Sequence, residues 1–311
     1  MNVSVVIPTF NNAKMLATTL AAFEHVVFPE KTELIVVDNN SKDTTKETII
    51  SFSDRLPIKY VFEKKQGISA AKNAGISLAR GRLLIFTDDD VRPCSAWIKS
   101  YWSAYTQDNK KLYWGGPIES EFDGPKPDAS LLRFAPPSVR GLDLGTCTRL
   151  LEPNEWFVGA NIAVSADTFN EMGGFDTTLG LDPSTGIVSV GEESDLQRRL
   201  KLAGYRAMYL PDASLRHVVP HQKSSLKHIA DRAEACGRYM KAISTETNEG
   251  RTFRGLPLWR YRKCAERWLS AWMKRMTGRD WYPDYISFRA DLGFIRGDAG
   301  NKGSSSTKIL R

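Results

Sequence analysis

An apolar run, Leu83–Phe86, is followed after Thr87 by three consecutive carboxylates, Asp88, Asp89 and Asp90. This pattern indicates a buried strand that meets solvent at its carboxyl end, where adjacent carboxylates repel one another unless a cation lies among them. Hard divalent cations take oxygen ligands and commonly bridge carboxylate to phosphate. A solvated acidic turn that caps a helix is the alternative, so the interpretation depends on the rest of the chain.

Along residues 1–221, short apolar runs alternate with helix-like stretches, which is typical of a mostly parallel sheet covered by helices. The predicted strands are 3–8, 33–38, 58–63, 82–87, 112–118, 161–165 and 206–210, and the predicted helices are 13–25, 43–53, 69–79, 95–106, 166–172 and 192–203. Ligands of open α/β sheets bind beyond the carboxyl ends of the strands, where Thr9, Asp38 and residues 64–67 join the three Asp. Neither a GxGxxG pattern after the first strand nor a P-loop occurs, so the usual dinucleotide and P-loop sites are not indicated.

Charge is distributed unevenly along the chain. Residues 222–311 contain 19 Lys and Arg against 9 Asp and Glu, whereas residues 1–221 contain 24 against 27. We therefore predict a catalytic domain over 1–221, a basic helical extension over 222–296 and a flexible tail over 297–311. Because the basic charge lies outside the slightly acidic catalytic half, nucleic acid is not an expected partner.

The sequence also predicts a location. The start of the chain shows no basic leader, no stretch approaches the ~20 apolar residues of a membrane span, and the scattered cysteines form no CxxC pair. We expect a cytoplasmic protein. Residues 258–276 carry Trp, Leu and Met at helical spacing among Lys and Arg, which indicates either peripheral contact with the inner face of a membrane or a helix docked on the domain with its charges in water.

Seven motifs together resemble one protein family. In chain order they are VSVVIPTFN (3–11), IVVDNNS (35–41), GISAAKNAG (67–75), FTDDD (86–90), FVGAN (157–161), GGFD (173–176) and GEESDL (191–196). Their order and spacing are similar to those of family 2 glycosyltransferases with the GT-A fold, a Rossmann-like α/β sandwich. The resemblance covers about residues 3–220 and implies sugar transfer from a nucleotide-sugar donor, with inversion at the anomeric carbon.

The resemblance also implies a donor site and a metal site. The donor-binding residues would be Pro8, Thr9, Asn11, Asp38, Lys65, Lys72, Asp88 and Asp89, and the metal ligands would be Asp90, Asp88 and His217. The cofactor would be Mn²⁺ or Mg²⁺, which neutralises the diphosphate leaving group. Asp38 would accept from the base, which favours a uridine donor and leaves deoxythymidine and guanosine open. Lys65 and His217 could instead be an ordinary surface lysine and a structural histidine.

Catalytic and acceptor residues are implied in the same way. The acceptor hydroxyl must lose a proton, so a carboxylate base is needed. Glu193 stands where the family usually has its Asp base, Glu192 is the second candidate, and Asp195 would orient the acceptor or the base. A capping cluster favoured by the helix dipole is the alternative for the Glu pair. The acceptor side would be formed by Trp156, Gly159 and Asn161, unless Trp156 is a core aromatic.

These patterns predict a metal-dependent glycosyltransferase of polysaccharide or glycan biosynthesis, with a saccharide or lipid-linked acceptor. A sugar-nucleotide nucleotidyltransferase is one alternative, although residues 9–12 lack its glycine-rich basic loop. A catalytically silent scaffold is the other, because Glu193 departs from the family's usual Asp.

Overall fold

The computed structural model describes residues 1–107, 110–125, 127–181, 190–244 and 251–297. The chain divides into two compact units: unit 1 lies within residues 1–127, 135–187 and 191–224, and unit 2 within 128–134, 188–190 and 225–311. Of the predicted flexible tail, residues 298–311 lie outside the described residues.

The strands, in chain order, are β1 (Val3–Thr9), β2 (Thr32–Asp38), β3 (Ile58–Phe62), β4 (Leu83–Phe86), β5 (Val91–Pro93), β6 (Leu112–Gly115), β7 (Ile118–Asp123), β8 (Arg149–Leu150), β9 (Ile162–Ser165), β10 (Arg206–Tyr209), β11 (Leu215–Pro220), β12 (Thr252–Phe253) and β13 (Leu256–Pro257). An eight-stranded sheet in unit 1 has the order β3-β2-β1-β4-β9-β6-β10-β8, and a second sheet has the order β5-β11-β7. In the large sheet β8 and β9 pair antiparallel with their neighbours and the other pairs are parallel. The predicted mostly parallel α/β fold is confirmed.

The helices are α1 (Ala13–Phe23), α2 (Thr45–Ser51), α3 (Ile68–Leu78), α4 (Trp97–Gln107), α5 (Ala129–Leu132), α6 (Pro137–Arg140), α7 (Ala166–Met172), α8 (Glu192–Leu202), α9 (Leu226–Ile243), α10 (Leu258–Met276) and α11 (Tyr282–Arg296). Short 3-10 turns span Gly159–Asn161 and His221–Ser224.

Both faces of the large sheet are packed, which explains the uninterrupted apolar strands. In β4, Leu83 and Ile85 join the cluster that contains α1, whereas Leu84 and Phe86 join the cluster on the other face. Successive side chains of a strand point to opposite faces, so a strand covered on both sides is apolar throughout. The acidic turn, residues 88–90, follows the carboxyl end of β4 and therefore lies at the edge of the sheet.

One predicted strand is wrong in its extent. The run 112–118 is divided into β6 and β7, which belong to different sheets. A Cβ on Gly116 would lie 2.1 Å from the Ala213 carbonyl oxygen, and Pro117 has no N–H to donate to a ladder. The chain therefore leaves the large sheet here and starts the small one, which later carries His217.

Unit 2 is largely helical, with α9, α10 and α11 as its long elements. Arg289 of α11 donates to Glu234 and Asp231 of α9, and Gly237 and Gly293 let the two backbones approach closely. Among the described residues, no helix has the length and apolar character needed to cross a membrane.

Candidate active site

The acidic turn and His217 are brought together by the small sheet. Asp90 leads directly into β5, and β5 pairs antiparallel with β11 so that Val91 lies opposite His217. The Val218 N–H donates to the Asp90 carbonyl at 2.8 Å. Residues more than 120 positions apart in the chain are therefore adjacent in space, because the two strands share a ladder.

Asp88, Asp90 and His217 form a potential metal site. One ligand atom from each lies within 4.8 Å of the others. Nε2 of His217 is 3.0 Å from Oδ1 of Asp90, yet this buried oxygen accepts no hydrogen bond from the residues that the structure describes. Two carboxylates and an imidazole suit a divalent cation, and an unsatisfied buried oxygen is what a missing ligand would leave. The residues present therefore fit the expected cofactor.

Lys223 is a site residue that the sequence analysis missed. It lies in the 3-10 turn after β11, and its Nζ is 3.1 Å from Oδ2 of Asp90. Burial alone would raise the pKa of Asp90, but His217 and Lys223 lower it to about 2. The Asp90 carboxylate is consequently charged and lies between the His217 imidazole and the Lys223 ammonium. No motif marked Lys223, because its position depends on the path of the chain after β11.

Asp89 points away from this group. Its carboxylate accepts hydrogen bonds from Thr9 Oγ1 at 2.5 Å and from Asn12 Nδ2 at 2.9 Å, and its carbonyl accepts from Thr19. Burial, with Asp90 next, raises the pKa of Asp89 to about 7. The side chain thus links the acidic turn to the turn between β1 and α1, and its role in donor binding stays a prediction.

Asp38 ends β2 at the same edge of the sheet. One carboxylate oxygen accepts from the Ser41 N–H at 2.9 Å and the other from the Tyr60 hydroxyl at 3.1 Å. Burial and the Asp38 charge raise the pKa of Tyr60 to about 12, so the phenol remains a donor at neutral pH. A carboxylate oxygen has two lone pairs, so each can accept one more hydrogen bond.

The other predicted donor residues form the rim of this edge. Pro8 is buried in β1 opposite Val37. Asn11 has a positive φ of 47° and its carboxamide oxygen accepts from the Lys42 N–H, which joins the turns after β1 and β2. Lys65 is exposed, and its Nζ lies 3.3 Å from the Thr177 hydroxyl.

Lys72, which is predicted to lie at the donor, is next to the two glutamates that begin α8. Its side chain is fully buried, with Nζ 2.7 Å from Glu193 Oε1, 3.7 Å from Glu192 Oε1 and 5.1 Å from the centre of the Phe175 ring. Burial opposes the charge, but the two carboxylates outweigh it and raise the pKa of Lys72. Glu193, which stands where the family usually has Asp, is therefore a partner of Lys72.

The two glutamates at the start of α8 have opposite electrostatic states. Burial and the neighbouring Glu193 charge raise the pKa of Glu192 to about 8, so it is protonated at neutral pH. Burial also disfavours the charge on Glu193, but Lys72 and a hydrogen bond from Glu192 lower its pKa below the usual 4.5. The Glu193 side chain is 25% exposed and that of Glu192 is 7% exposed. Glu193 is thus the ionised and accessible carboxylate of the pair.

The segment 157–161 lies against α8. Gln197 of α8 accepts from the Phe157 N–H at 2.9 Å and donates to its carbonyl at 3.0 Å. An ideal Cβ on Gly159 would lie only 2.0 Å from Oε1 of Glu193. The absence of a side chain at Gly159 is therefore what leaves room for the Glu193 carboxylate.

Trp156 and Asn161 flank this glycine in different ways. Trp156 is 38% exposed, and the Lys201 ammonium lies 3.7 Å from the centre of its ring, so one part of the indole is covered. Asn161 is fully buried; its amide donates to the carbonyls of Pro117 and Ala213, and its oxygen accepts from the side chains of Trp97 and Tyr101. These hydrogen bonds hold Asn161 in the core, and its part in acceptor binding stays a prediction.

Asp195 is also engaged within the protein. Its two oxygens accept from Arg198 and Arg199, and Arg199 continues to the carbonyls of Met172 and Gly174. This arrangement anchors α8 to the end of α7 and the loop after it, and the role of Asp195 in orienting the acceptor or the base stays a prediction.

The potential metal site formed by Asp88, Asp90 and His217 shares one electrostatic environment with the Glu193 carboxylate. The pKa of Asp88 is raised first by burial and then by Asp90. Lys72 and Glu193 also contribute to this shift, in opposite directions. The Glu193 carboxylate and the potential cation ligands therefore influence one another electrostatically.

Gly159→Ala provides a test of this geometry. Because the added methyl overlaps the end of the Glu193 side chain, we expect the carboxylate to move and kcat to fall at least about tenfold, with the free energy of unfolding lowered by about 1–3 kcal/mol. Gly145→Ala is the control for a methyl with no neighbour within 4 Å; its φ of 99° strains the backbone, so it should lose about 1–2 kcal/mol of stability and keep its kcat. Equal activity of the two variants would show that Glu193 can move without consequence.

Known proteins that are similar to this chain include glycosyltransferases. Residues 4–143 match the sequence model of Glycosyl transferase family 2. Validoxylamine A glucosyltransferase of Streptomyces hygroscopicus subsp. limoneus is 29% identical over 261 residues, which cover 76% of this chain and 56% of that protein. Chondroitin synthase of Escherichia coli is 38% identical over 100 residues, which cover 32% of this chain and 15% of that protein. The chain thus spans little more than half the length of the Streptomyces relative.

Solved structures show the same fold. The mannosyltransferase PcManGT of Pyrobaculum calidifontis, in complex with GDP-Man and Mn²⁺, has a TM-score of 0.60 at 19% identity and covers 95% of this chain and 86% of its own. TarS 1–349 of S. aureus with UDP-GlcNAc has a TM-score of 0.55 at 16% identity, covering 79% and 68%. The fold is GT-A, and the chain is similar over residues 4–143 to the family 2 glycosyltransferases.

Proposed function

We propose that this protein transfers a sugar from a nucleotide-sugar donor to a hydroxyl of a saccharide or lipid-linked acceptor, with inversion at the anomeric carbon and with Mn²⁺ or Mg²⁺ as cofactor. The observation that carries the proposal is the pairing of an ionised, accessible Glu193 with the Asp88, Asp90 and His217 group in one environment. Glycan biosynthesis is the setting that the family supports.

Donor binding would use the acidic edge of the sheet. A bound divalent cation would neutralise the diphosphate as it leaves. Asp90 and Asp88 would hold that cation, with His217 as the nitrogen ligand. Lys223 is 41% exposed at its side chain and would supply a further positive charge to the phosphates. Asp38 would accept from the base, which favours uridine, and the solved relatives bind either UDP-GlcNAc or GDP-Man.

Glu193 would act as the general base. Its lowered pKa keeps it ionised at neutral pH, so it can accept the proton of the acceptor hydroxyl as that oxygen attacks the anomeric carbon. Lys72 positions the carboxylate and keeps it charged, while protonated Glu192 donates to it. The contact between Lys72 and Glu193 also argues against a silent scaffold. Glu193 is one methylene longer than the Asp usual in the family, and Lys72 pairs with its carboxylate.

The acceptor, the linkage and the location remain predictions. Trp156 offers a partly exposed ring for a sugar near Gly159. A cytoplasmic location with peripheral contact at the inner face of a membrane is still what we expect from the sequence.

Donor identity can be tested by incubating the protein with a panel of nucleotide sugars and Mn²⁺ and measuring released nucleotide together with the glycosylated acceptor. We expect one sugar nucleotide to be consumed in a reaction that chelation abolishes. Asp90→Ala serves as the inactive control. A reaction that releases pyrophosphate from a sugar phosphate and a nucleoside triphosphate would instead identify a nucleotidyltransferase.

A double-mutant cycle at Lys72 and Glu193 tests their partnership. Glu193→Asp withdraws the carboxylate by one methylene from Lys72, so we expect kcat to fall by about 10²-fold. Adding Lys72→Arg restores the reach through a longer, forked side chain, so Lys72→Arg/Glu193→Asp should recover at least about tenfold over Glu193→Asp alone. Additive losses in kcat, with all three variants folded by circular dichroism, would mean that the two side chains act independently.

A further inference from the structure

The apolar side chains of α10 face solvent. Leu269, Trp272, Met273 and Met276 follow the i, i+3, i+4, i+7 spacing of a single helix face, and they are 46%, 54%, 49% and 70% exposed. Trp268 beside them is 52% exposed. Contiguous exposed apolar surface of this kind marks an interaction site more often than an ordinary monomer surface.

The opposite side of α10 is the one that packs against α11. Cys264 and Ala271 are its buried residues. Charged groups of this side reach acidic residues of α11, with Arg267 Nη1 2.6 Å from Asp291 and Lys274 Nζ 2.6 Å from Asp284. The helix is therefore inverted relative to the usual surface helix: small and charged residues face the protein, and large apolar residues face outward.

The exposed apolar face of α10 extends towards the start of the helix. Leu258 is 47% exposed, and Phe253, 54% exposed, packs edge-on against Tyr261 with ring centres 5.6 Å apart. A helix of 19 residues is about 28 Å long, so the exposed face is an elongated strip. A strip of this shape suits a flat surface.

The charge of residues 251–297 indicates which kind of partner surface this face of α10 would contact. Residues 251–297 contain 11 Lys and Arg against 4 Asp and Glu, and Arg262, Lys263 and Arg275 are exposed along α10. Two copies of such a basic strip would repel each other, whereas an anionic lipid surface would attract both the basic side chains and the apolar ones. Trp side chains are favoured at the boundary between water and lipid.

We propose that the exposed apolar face of α10 binds an anionic membrane surface, with the helix lying in the plane of the headgroups. Leu269, Trp272 and Met273 enter the acyl boundary, and the neighbouring Lys and Arg side chains contact lipid phosphates. The inference rests on α10 alone and does not depend on the catalytic assignment.

The test is co-sedimentation of the full chain with vesicles of phosphatidylcholine alone or mixed equally with phosphatidylglycerol. We expect at least about tenfold stronger partitioning into the anionic vesicles, weakened but not abolished by 0.5 M salt. The triple variant Leu269→Gln/Trp272→Gln/Met273→Gln should lose at least about tenfold of this partitioning. The control Val27→Gln/Ile50→Gln/Leu202→Gln alters residues that are 50%, 54% and 76% exposed in unit 1, and it should bind like the wild type.

Three results would overturn the proposal. The wild type could stay in the supernatant with anionic vesicles, or the α10 triple variant could bind as well as the unit 1 control. Size-exclusion chromatography could also show a dimer that the α10 variant dissociates, in which case a second copy covers this face. Thermal melts of both triple variants close to that of the wild type establish that the comparison is between folded proteins.

Discussion

Replacing Glu193 by glutamine is expected to lower kcat by about 10²-fold or more while donor affinity stays within about threefold. Glutamine keeps the size of the side chain and can still contact Lys72, but it cannot accept the proton of the acceptor hydroxyl. Donor binding is unaffected because the residues proposed to hold the donor lie on other elements. Initial rates at saturating donor and acceptor, with donor affinity from calorimetry, measure the two quantities separately.

Glu192→Gln is the matched control for this result. Glu192 is protonated at neutral pH and donates to Glu193, a role that a glutamine amide can fill, so we expect a loss in kcat of only about threefold to fivefold. A larger loss in Glu192→Gln than in Glu193→Gln would mean that Glu192 is the base.

The pH profile of the wild type adds an independent readout. Because Lys72 lowers the pKa of Glu193, protonation of this base should lower kcat only below the ordinary glutamate value of 4.5. A decline at higher pH reports the proposed cation ligands, since burial is outweighed by Asp90, which raises the pKa of His217, and His217 must be neutral to bind a cation. Burial and Glu193 raise the pKa of Glu192 to about 8, so above that pH a second negative charge appears beside Lys72 and kcat should change again. Values of kcat measured in overlapping buffers at fixed ionic strength record both the acidic and the alkaline change.

Asp90→Ala is expected to abolish transfer and cation-dependent nucleotide binding together, a loss of at least about 10³-fold in activity. The substitution removes the carboxylate that lies between His217 and Lys223, so the ligand group loses its central member. Calorimetric titration of UDP and of GDP with and without Mn²⁺ measures the binding effect without reliance on turnover.

Asp89→Asn distinguishes a metal ligand from a structural carboxylate in the same turn. Asp89 bonds to Thr9 and Asn12, so its replacement should lower thermal stability by about 1–2 kcal/mol and leave Mn²⁺-dependent binding measurable. If Asp89→Asn removes that binding as completely as Asp90→Ala does, the metal ligands are assigned to the wrong member of the turn.

Much of this architecture is readable in the sequence because its causes are local. The apolar run of β4 and the three Asp after it mark a buried strand and its exposed end without reference to anything distant. Glu192 and Glu193 are likewise predictable from local sequence, because a glycine followed by acidic residues is typical of the start of a helix such as α8. The motifs are short and ordered, so the resemblance to Glycosyl transferase family 2 could be predicted from the sequence, and the family's sequence model matches residues 4–143.

What the sequence could not predict is which side chains meet. Lys72 has the same sequence context as a donor-binding lysine, yet α3 buries it and directs it to Glu193 on α8. Asn161 sits in a motif next to Gly159, but the 3-10 turn sends its amide into the core. Lys223 joins Asp90 only because β11 pairs with β5.

The sequence by itself determined the fold class, the edge of the sheet that carries the chemistry and the residue types available there, because periodicity and strand ends are properties of neighbouring residues. Tertiary structure alone decided the partners of Lys72, Asp89, Asn161 and Lys223 and the outward direction of the apolar face of α10. These depend on the packing of elements that are distant in the chain, and the rotation of a helix about its axis is set by what it packs against, as Cys264 and Ala271 of α10 show.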